Sequence, residues 1–185
     1  MPSYKHFHCQ IWGDKKFKKL SADAKLLFIY LFTNERVTLT GIYEPDLDIA
    51  RIHCAVKDFE KVFQEVIDST NIKWDNENEV IWIVNRFKYI PTRSPKVLVG
   101  VAEELNKINH PFVKLFIEKY KEVLAGYIFR IKGHEEDSDL LSDENVKNLG
   151  KIYPNKAGVK KFLERRGIGV EKIDEVIGRV LYGKD

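Results

Sequence analysis

Residues 57–86 constrain this chain more than any other stretch. Phe59, Val62, Phe63, Val66 and Ile67 recur at the three-and-four spacing of a helix with one buried face. Ser69, Thr70 and Asn71 interrupt that period. Ile72-Lys73-Trp74-Asp75 and Val80-Ile81-Trp82-Ile83-Val84 then flank a polar turn at Asn76-Glu77-Asn78. Two short runs of β-branched and aromatic residues around such a turn predict a β-hairpin. A helix running straight into a hairpin is the back half of a winged helix, provided the preceding residues supply the front half.

They do. Ser21 suits an N-cap, and Asp23 complements the helix dipole in the first turn. Leu26, Leu27, Ile29, Tyr30, Leu31 and Phe32 predict a central core helix that ends at Thr33-Asn34-Glu35. Residues 37–43 predict a short strand containing Gly41, and Pro45-Asp46 opens a short helix through Leu47, Ile49, Ala50 and Ile52. Helix, strand, helix, helix, strand, strand is the winged-helix order. The expected core contacts come from Leu27, Tyr30, Leu31, Ile49, Phe63, Ile67, Trp74, Trp82 and Val84.

A resemblance runs through the same residues. Trp12-x-Asp14-x-x-Phe17-x-x-Leu20-Ser21-x-x-Ala24-Lys25-Leu26-Leu27-Phe28-Ile29-Tyr30-Leu31 resembles the opening of phage and prophage replisome-organiser proteins. Gly41-Ile42-Tyr43, Val80-Ile81-Trp82-Ile83, Asn85-Arg86-Phe87-Lys88-Tyr89 and Ser94-Pro95-Lys96 continue the pattern in order. The resemblance implies an N-terminal winged-helix domain in a non-enzymatic protein that helps start DNA replication, distantly similar to DnaD-like initiators. It also implies the partners: DNA, single- or double-stranded, further copies of the chain, and a replicative helicase or helicase loader.

Beyond the hairpin the chain stays mainly helical. Residues 96–108 and 111–125 carry apolar residues at helical spacing, enough to cover one side of the winged helix or to pair with a second copy. Residues 133–145 hold six carboxylates and no Lys or Arg, which predicts a solvated linker. Between Lys147 and Arg166 seven basic residues face only Glu164. Val159, Phe162 and Leu163 predict a helix stopped by Gly167, and Ile168, Val170, Ile173, Val176, Ile177, Val180 and Leu181 predict another. The expected fold class is therefore mainly α with a small β-hairpin. Its parts are a winged-helix domain at 1–94, a helical extension packing on it at 95–132, an acidic linker at 133–146 and a small basic helical domain at 147–185.

What the chain lacks narrows its chemistry. Neither G-x-x-x-x-G-K nor G-x-G-x-x-G occurs, so ATP hydrolysis has no support, and no G-x-S-x-G or H-E-x-x-H is present. His6, His8, Cys9, His53 and Cys54 lack two ligand pairs at zinc spacing, so neither metal nor cofactor is expected. Two unspaced cysteines, no apolar run of membrane length and no secretory signal lead to the expectation of a cytoplasmic protein without membrane contact.

The expected DNA-binding residues are Lys73, Arg86, Lys88, Arg93 and Lys96 around the hairpin, with Lys151, Lys156, Lys160, Lys161, Arg165 and Arg166 in the tail. Clustered cations neutralise phosphates, and aromatics between them stack on bases. Lys15, Lys16, Lys18 and Lys19 read equally well as a solvated loop or a phosphate-facing patch. The third helix exposes Lys57, Asp58, Glu60, Lys61, Gln64, Glu65 and Asp68, too acidic a face for groove entry. That mixed face supports the alternative function: a protein-interaction or oligomerisation scaffold, or a helicase-loader adaptor, with little direct DNA binding.

Overall fold

Val80, Ile81, Trp82 and Ile83 are all buried, although alternation along a strand sends them to opposite faces. This strand, β3 (Val80–Ile83), is the middle of a three-stranded antiparallel sheet, between β1 (Ile42–Tyr43) and β2 (Ile72–Asp75). The hairpin register pairs Ile72 with Ile83 and Asp75 with Val80, and β1 pairs Ile42 with Trp82. The computed structural model describes residues 7–90, 94–124, 127, 130–132, 143–164 and 169–182. They are mainly helical, and they divide into two compact units, 1–91 with 110–116 and 92–109 with 117–185.

In the first unit, a 3-10 turn (Cys9–Gly13) leads into α1 (Lys15–Lys19), α2 (Ala22–Thr33), β1, α3 (Leu47–Cys54), α4 (Phe59–Ser69), β2 and β3. Ser21 caps α2 by accepting from the Ala24 N–H at 3.2 Å, and Asp46 caps α3 from Ile49. One face of the sheet, with Ile72, Ile81 and Ile83, closes a core containing Phe17, Leu27, Leu31, Ala50, Phe59, Phe63 and Val66. On the other face Trp82 meets Phe112 and Phe116 at 5.8 and 6.4 Å between ring centroids, and Phe87 meets Phe116 at 5.4 Å. Phe112 and Phe116 belong to α6 (Phe112–Lys119), through which the division between the units runs.

Three local expectations change. The strand expected over residues 37–43 shrinks to Ile42–Tyr43, because Thr38 and Thr40 bond their own neighbourhood instead of a ladder. Thr38 Oγ1 donates to the Ile42 carbonyl at 2.9 Å, and Thr40 Oγ1 accepts from the Ile42 N–H at 3.2 Å. Ile49 is 41% exposed rather than a core contact, since Ala50 and Cys54 take the inward positions of α3. Tyr30, Ile67 and Trp74 pack on the core half-buried, and Val84 is half-buried too. The four lysines around Phe17 lie on a helix instead of a loop.

The second unit is built on α5 (Pro95–Leu105), with Pro95 in its first turn and Leu98, Val101, Ala102 and Leu105 buried. After α7 (Lys121–Leu124) come α8 (Asp143–Ile152), α9 (Lys156–Glu164) and α10 (Val170–Tyr182). Val146, Leu149, Val159, Leu163, Ile173, Val176 and Ile177 form the core of these last three. A Cβ at Gly150 would lie 3.2 Å from the Val180 carbonyl oxygen, so α8 and α10 approach closely. Arg130 ties α5 to this bundle. Its Nη1 donates to Tyr153 Oη at 3.1 Å, Nη2 lies 3.8 Å from Glu103 Oε1, and the guanidinium sits over the Tyr153 and Phe162 rings.

The boundaries expected from sequence move accordingly. Residues 95–105 group with the C-terminal helices rather than forming an extension with 110–116. Residues 143–146, expected as linker, open α8, while 133–142 lie outside the described residues, as does the expected stop at Gly167. The tail is three helices instead of two.

Trp82→Ala removes the ring between the sheet and α6 and is expected to cost roughly 3–5 kcal/mol in urea unfolding. Gly41 has φ +77°, and a Cβ there would meet the Ile83 carbonyl oxygen at 2.8 Å. Gly41→Ala is therefore expected to destabilise by more than about 1 kcal/mol in the same measurement.

Candidate nucleic-acid interface

The Asp14 carboxylate accepts from the N–H groups of Lys16 at 2.8 Å and Phe17 at 2.9 Å, which caps α1. Phe17 is driven into the core, and this leaves Lys15, Lys16, Lys18 and Lys19 exposed around the remaining sides of the helix. Lys16 Nζ donates to Asn71 Oδ1 at 2.8 Å, and Ser21 donates through N and Oγ to Glu65 at 2.7 and 2.8 Å. These bonds bring the lysine helix beside α4 and the start of β2. The two Ser21 bonds also hold the Glu65 carboxyl below its usual range, the backbone bond first.

The outer face of α4 is mixed, as its sequence predicts. Lys57, Asp58, Glu60, Lys61, Gln64 and Asp68 are exposed, and Glu65 is half-buried. Glu60, Glu65 and Asp68 are bonded within the protein itself. Glu60 pairs with Arg51, which also bonds Asp48 at 2.7 Å and lies over the Phe59 ring. Gln64 Nε2 donates to Asp68 at 2.9 Å. Hydrogen bonds from its own backbone N–H and from Arg51 keep the Glu60 carboxyl low.

The candidate cations around the hairpin separate into different environments. Lys73 is exposed on β2, with Nζ 5.5 Å from the centre of the Trp82 ring. Lys88 is exposed in a 3-10 turn (Phe87–Tyr89), with Nζ 5.7 Å from the Tyr89 ring centre. Arg86 leaves the set. It is buried at 8% exposure, its N–H donates to the Ile83 carbonyl at 2.9 Å and its guanidinium lies over Phe32. Gly41 passes close beside it: a Cβ there would stand 2.7 Å from Arg86 Cβ.

In the second unit Lys96 is exposed on α5, Lys147 and Lys151 on α8, and Lys156, Lys160 and Lys161 on α9. Lys160 Nζ lies 3.8 Å from Glu164 Oε1. Glu171, Lys172, Asp174 and Glu175 are exposed on α10, whose outer face is mixed, whereas the exposed charges of α9 are three lysines and Glu164. Arg93, Arg165 and Arg166 lie outside the described residues.

One element of the first unit has no sequence signature. The 3-10 turn Cys9–Gly13 and the turn Phe87–Tyr89 border a cleft of about 380 Å3 lined by Phe7, His8, Gln10, Ile11, Phe32 and Tyr89. Ile11, Asp14, Phe32 and Tyr89 also line a smaller hollow of about 50 Å3 that reaches Lys16, Asn71 and Asn85. Among the described residues no group of three His, Cys, Asp or Glu is placed to hold a metal ion, and no helix is long and apolar enough to cross a membrane.

No family model matches the sequence, and no curated protein or solved structure is significantly similar to it.

The hairpin tip supplies a pH test. Asp75 accepts from the N–H groups of Glu77 and Asn78 at 3.0 and 3.3 Å and from Asn78 Nδ2 at 2.9 Å, and His110 Nε2 lies 2.9 Å away. The Asn78 side chain first, then His110, lowers the carboxyl to about 2. A carboxyl lowered on folding stabilises the native state above its unfolded value of about 3.9, and that contribution fades as pH falls through the folded value. The stability difference between the parent protein and Asp75→Asn should therefore be full at pH 6 and shrink between about pH 5 and pH 2. Thermal unfolding across that range checks it.

Proposed function

We propose that the chain is a DNA-binding replication-initiation protein of replisome-organiser type, non-enzymatic, whose N-terminal unit is a winged helix. One observation carries this reading: the order α2, β1, α3, α4, β2, β3 with sheet order β1-β3-β2, in which α4 runs directly into the β2–β3 hairpin. In this reading α4 is the third helix of the winged helix and β2–β3 is the wing. The exposed lysines of α1, the wing lysine Lys73 and Lys88 supply phosphate contacts on this unit. Lys151, Lys156, Lys160 and Lys161 supply them on the other. Because the face of α4 is net acidic, it positions the protein or meets a protein partner rather than reading bases. The displaced carboxylates support a non-enzymatic role. Glu60, Glu65 and Asp75 are each held low by bonds that secure local structure, the reverse of a carboxyl raised for proton transfer.

A second reading, an oligomerising scaffold or helicase-loader adaptor, is favoured by α3, where Ile52 is 72% exposed beside the exposed Ile49. The two readings are compatible, and both belong in a cytoplasmic setting.

A salt-dependent titration of the full chain with duplex and single-stranded DNA tests the proposal. Each phosphate contact contributes about 0.9 to the slope of log affinity against log salt on duplex DNA. Replacing Lys151, Lys156, Lys160 and Lys161 together by Gln should lower the slope by about 3 to 4 if the tail carries most of the affinity. If Lys73→Ala with Lys88→Ala abolishes binding while the tail variant keeps its slope, the hairpin end carries it instead. Absence of binding to either DNA form at low salt overturns the DNA-binding reading and leaves the scaffold.

A further inference from the structure

We infer that the cleft between the Cys9–Gly13 and Phe87–Tyr89 turns is a single-strand nucleotide site. A base packs against the His8 and Tyr89 rings, and Lys16 and Lys88 meet the flanking phosphates. The inference rests on the DNA-binding reading and specifies which strand form this unit takes.

Size and shape come first. At about 380 Å3 the cleft lies within the ~300–1,000 Å3 range of small-ligand sites. The His8 and Tyr89 rings stand 5.9 Å apart between centroids and are inclined at 39°. They are tilted instead of stacked on one another, so a base packs against the pair from the cleft rather than between the rings. His8 is exposed and Tyr89 half-buried. The backbone N–H of Gln10 donates to His8 Nδ1 at 3.3 Å, which fixes the imidazole in place before any ligand arrives. A fixed ring loses little freedom on binding.

The charge around the cleft has the sign a nucleotide needs. Lys88 Nζ stands 5.7 Å from the Tyr89 ring centre, and Lys16 lines the adjoining hollow, with Nζ 2.8 Å from Asn71 Oδ1. Asp14 also lines the cleft, but its carboxylate accepts the Lys16 and Phe17 N–H groups and is committed to the cap of α1. The side-chain amides of Gln10 and Asn85 offer donors and acceptors that suit any base edge.

Strandedness follows from access. In a duplex each base has its faces covered by its neighbours and its pairing edge by its partner. Ring walls of a cleft reach the face of a base only when it is unstacked. The same walls bind any base, because every base has a π-face, so the site selects single strands without selecting sequence.

The experiment compares three probes on the full chain at one salt concentration: dT12, a twelve-residue abasic strand and a twelve-base-pair duplex. The abasic strand keeps the phosphates and removes the rings, so this comparison needs no substitution. Loss of one stacked base should weaken binding by about 5- to 150-fold relative to dT12. His8→Ala and Tyr89→Leu should each weaken dT12 binding while leaving the abasic strand and the duplex unchanged. Equal affinity for dT12 and the abasic strand overturns the site, and so does an equal loss on single strand and duplex in the variants. Duplex binding that survives those results leaves the DNA-binding reading standing, whereas no binding to any probe removes both.

Discussion

The first unit depends on a strand with no free face. β3 sits in the middle of the sheet and buries side chains in both directions, so it needs a cover on each side. α2 to α4 provide one through Phe63, Val66 and Leu27, and Phe112 and Phe116 provide the other against Trp82. The second cover is not free of cost. The Trp82 indole N–H is buried with no hydrogen-bond partner among the described residues, a penalty of about 1–3 kcal/mol that ring packing must exceed. The His110–Asp75 contact secures the start of that cover to the tip of the hairpin, so a polar bond at the rim holds an apolar lid over the middle.

Electrostatics in the same unit follow a division of labour set by geometry. Carboxylates on α4 are drawn into contacts with Arg51, Ser21 and Gln64, and each contact also joins or braces helices. The lysines of α1 stand at the other end of that arrangement. Asp14 is spent on the helix cap and Phe17 on the core, which leaves cations as the outward content of the segment. The result is a short helix that displays positive charge, beside an α4 whose Glu60, Glu65 and Asp68 carboxylates are bonded within the protein.

Much of this is legible in the residues. The α4–hairpin succession and the Ser21 cap follow from period, turn composition and capping chemistry, all local in sequence. Ile49 and the short β1 were not, because each depends on competition: Ala50 and Cys54 for the inside of α3, threonine hydroxyls for the bonds of a strand. Arg86 illustrates a harder limit. Its basic, aromatic-flanked setting predicts a surface cation, but the side chain is buried beside Gly41 and over Phe32, residues far from it in sequence. The cleft between His8 and Tyr89 joins the two ends of the unit, and no pattern within either end announces it. The grouping of residues 95–105 with the C-terminal helices is equally non-local, with Arg130 meeting Glu103 and Tyr153 from far along the chain.

Helix α1 has one further implication. A five-residue helix does not persist alone in water, so it exists only while Asp14 caps it and Phe17 stays seated. Folding therefore concentrates four ammonium groups that the unfolded chain would spread out, and their mutual repulsion becomes a standing load on the native state. Dissolved electrolyte relieves that load, because its screening length of about 8 Å at physiological ionic strength is comparable to the spacing of neighbouring groups on one short helix. The same ions compete for any polyanion the lysines hold. Ionic strength thus acts on this segment in two opposed senses, firming the scaffold while loosening its grip.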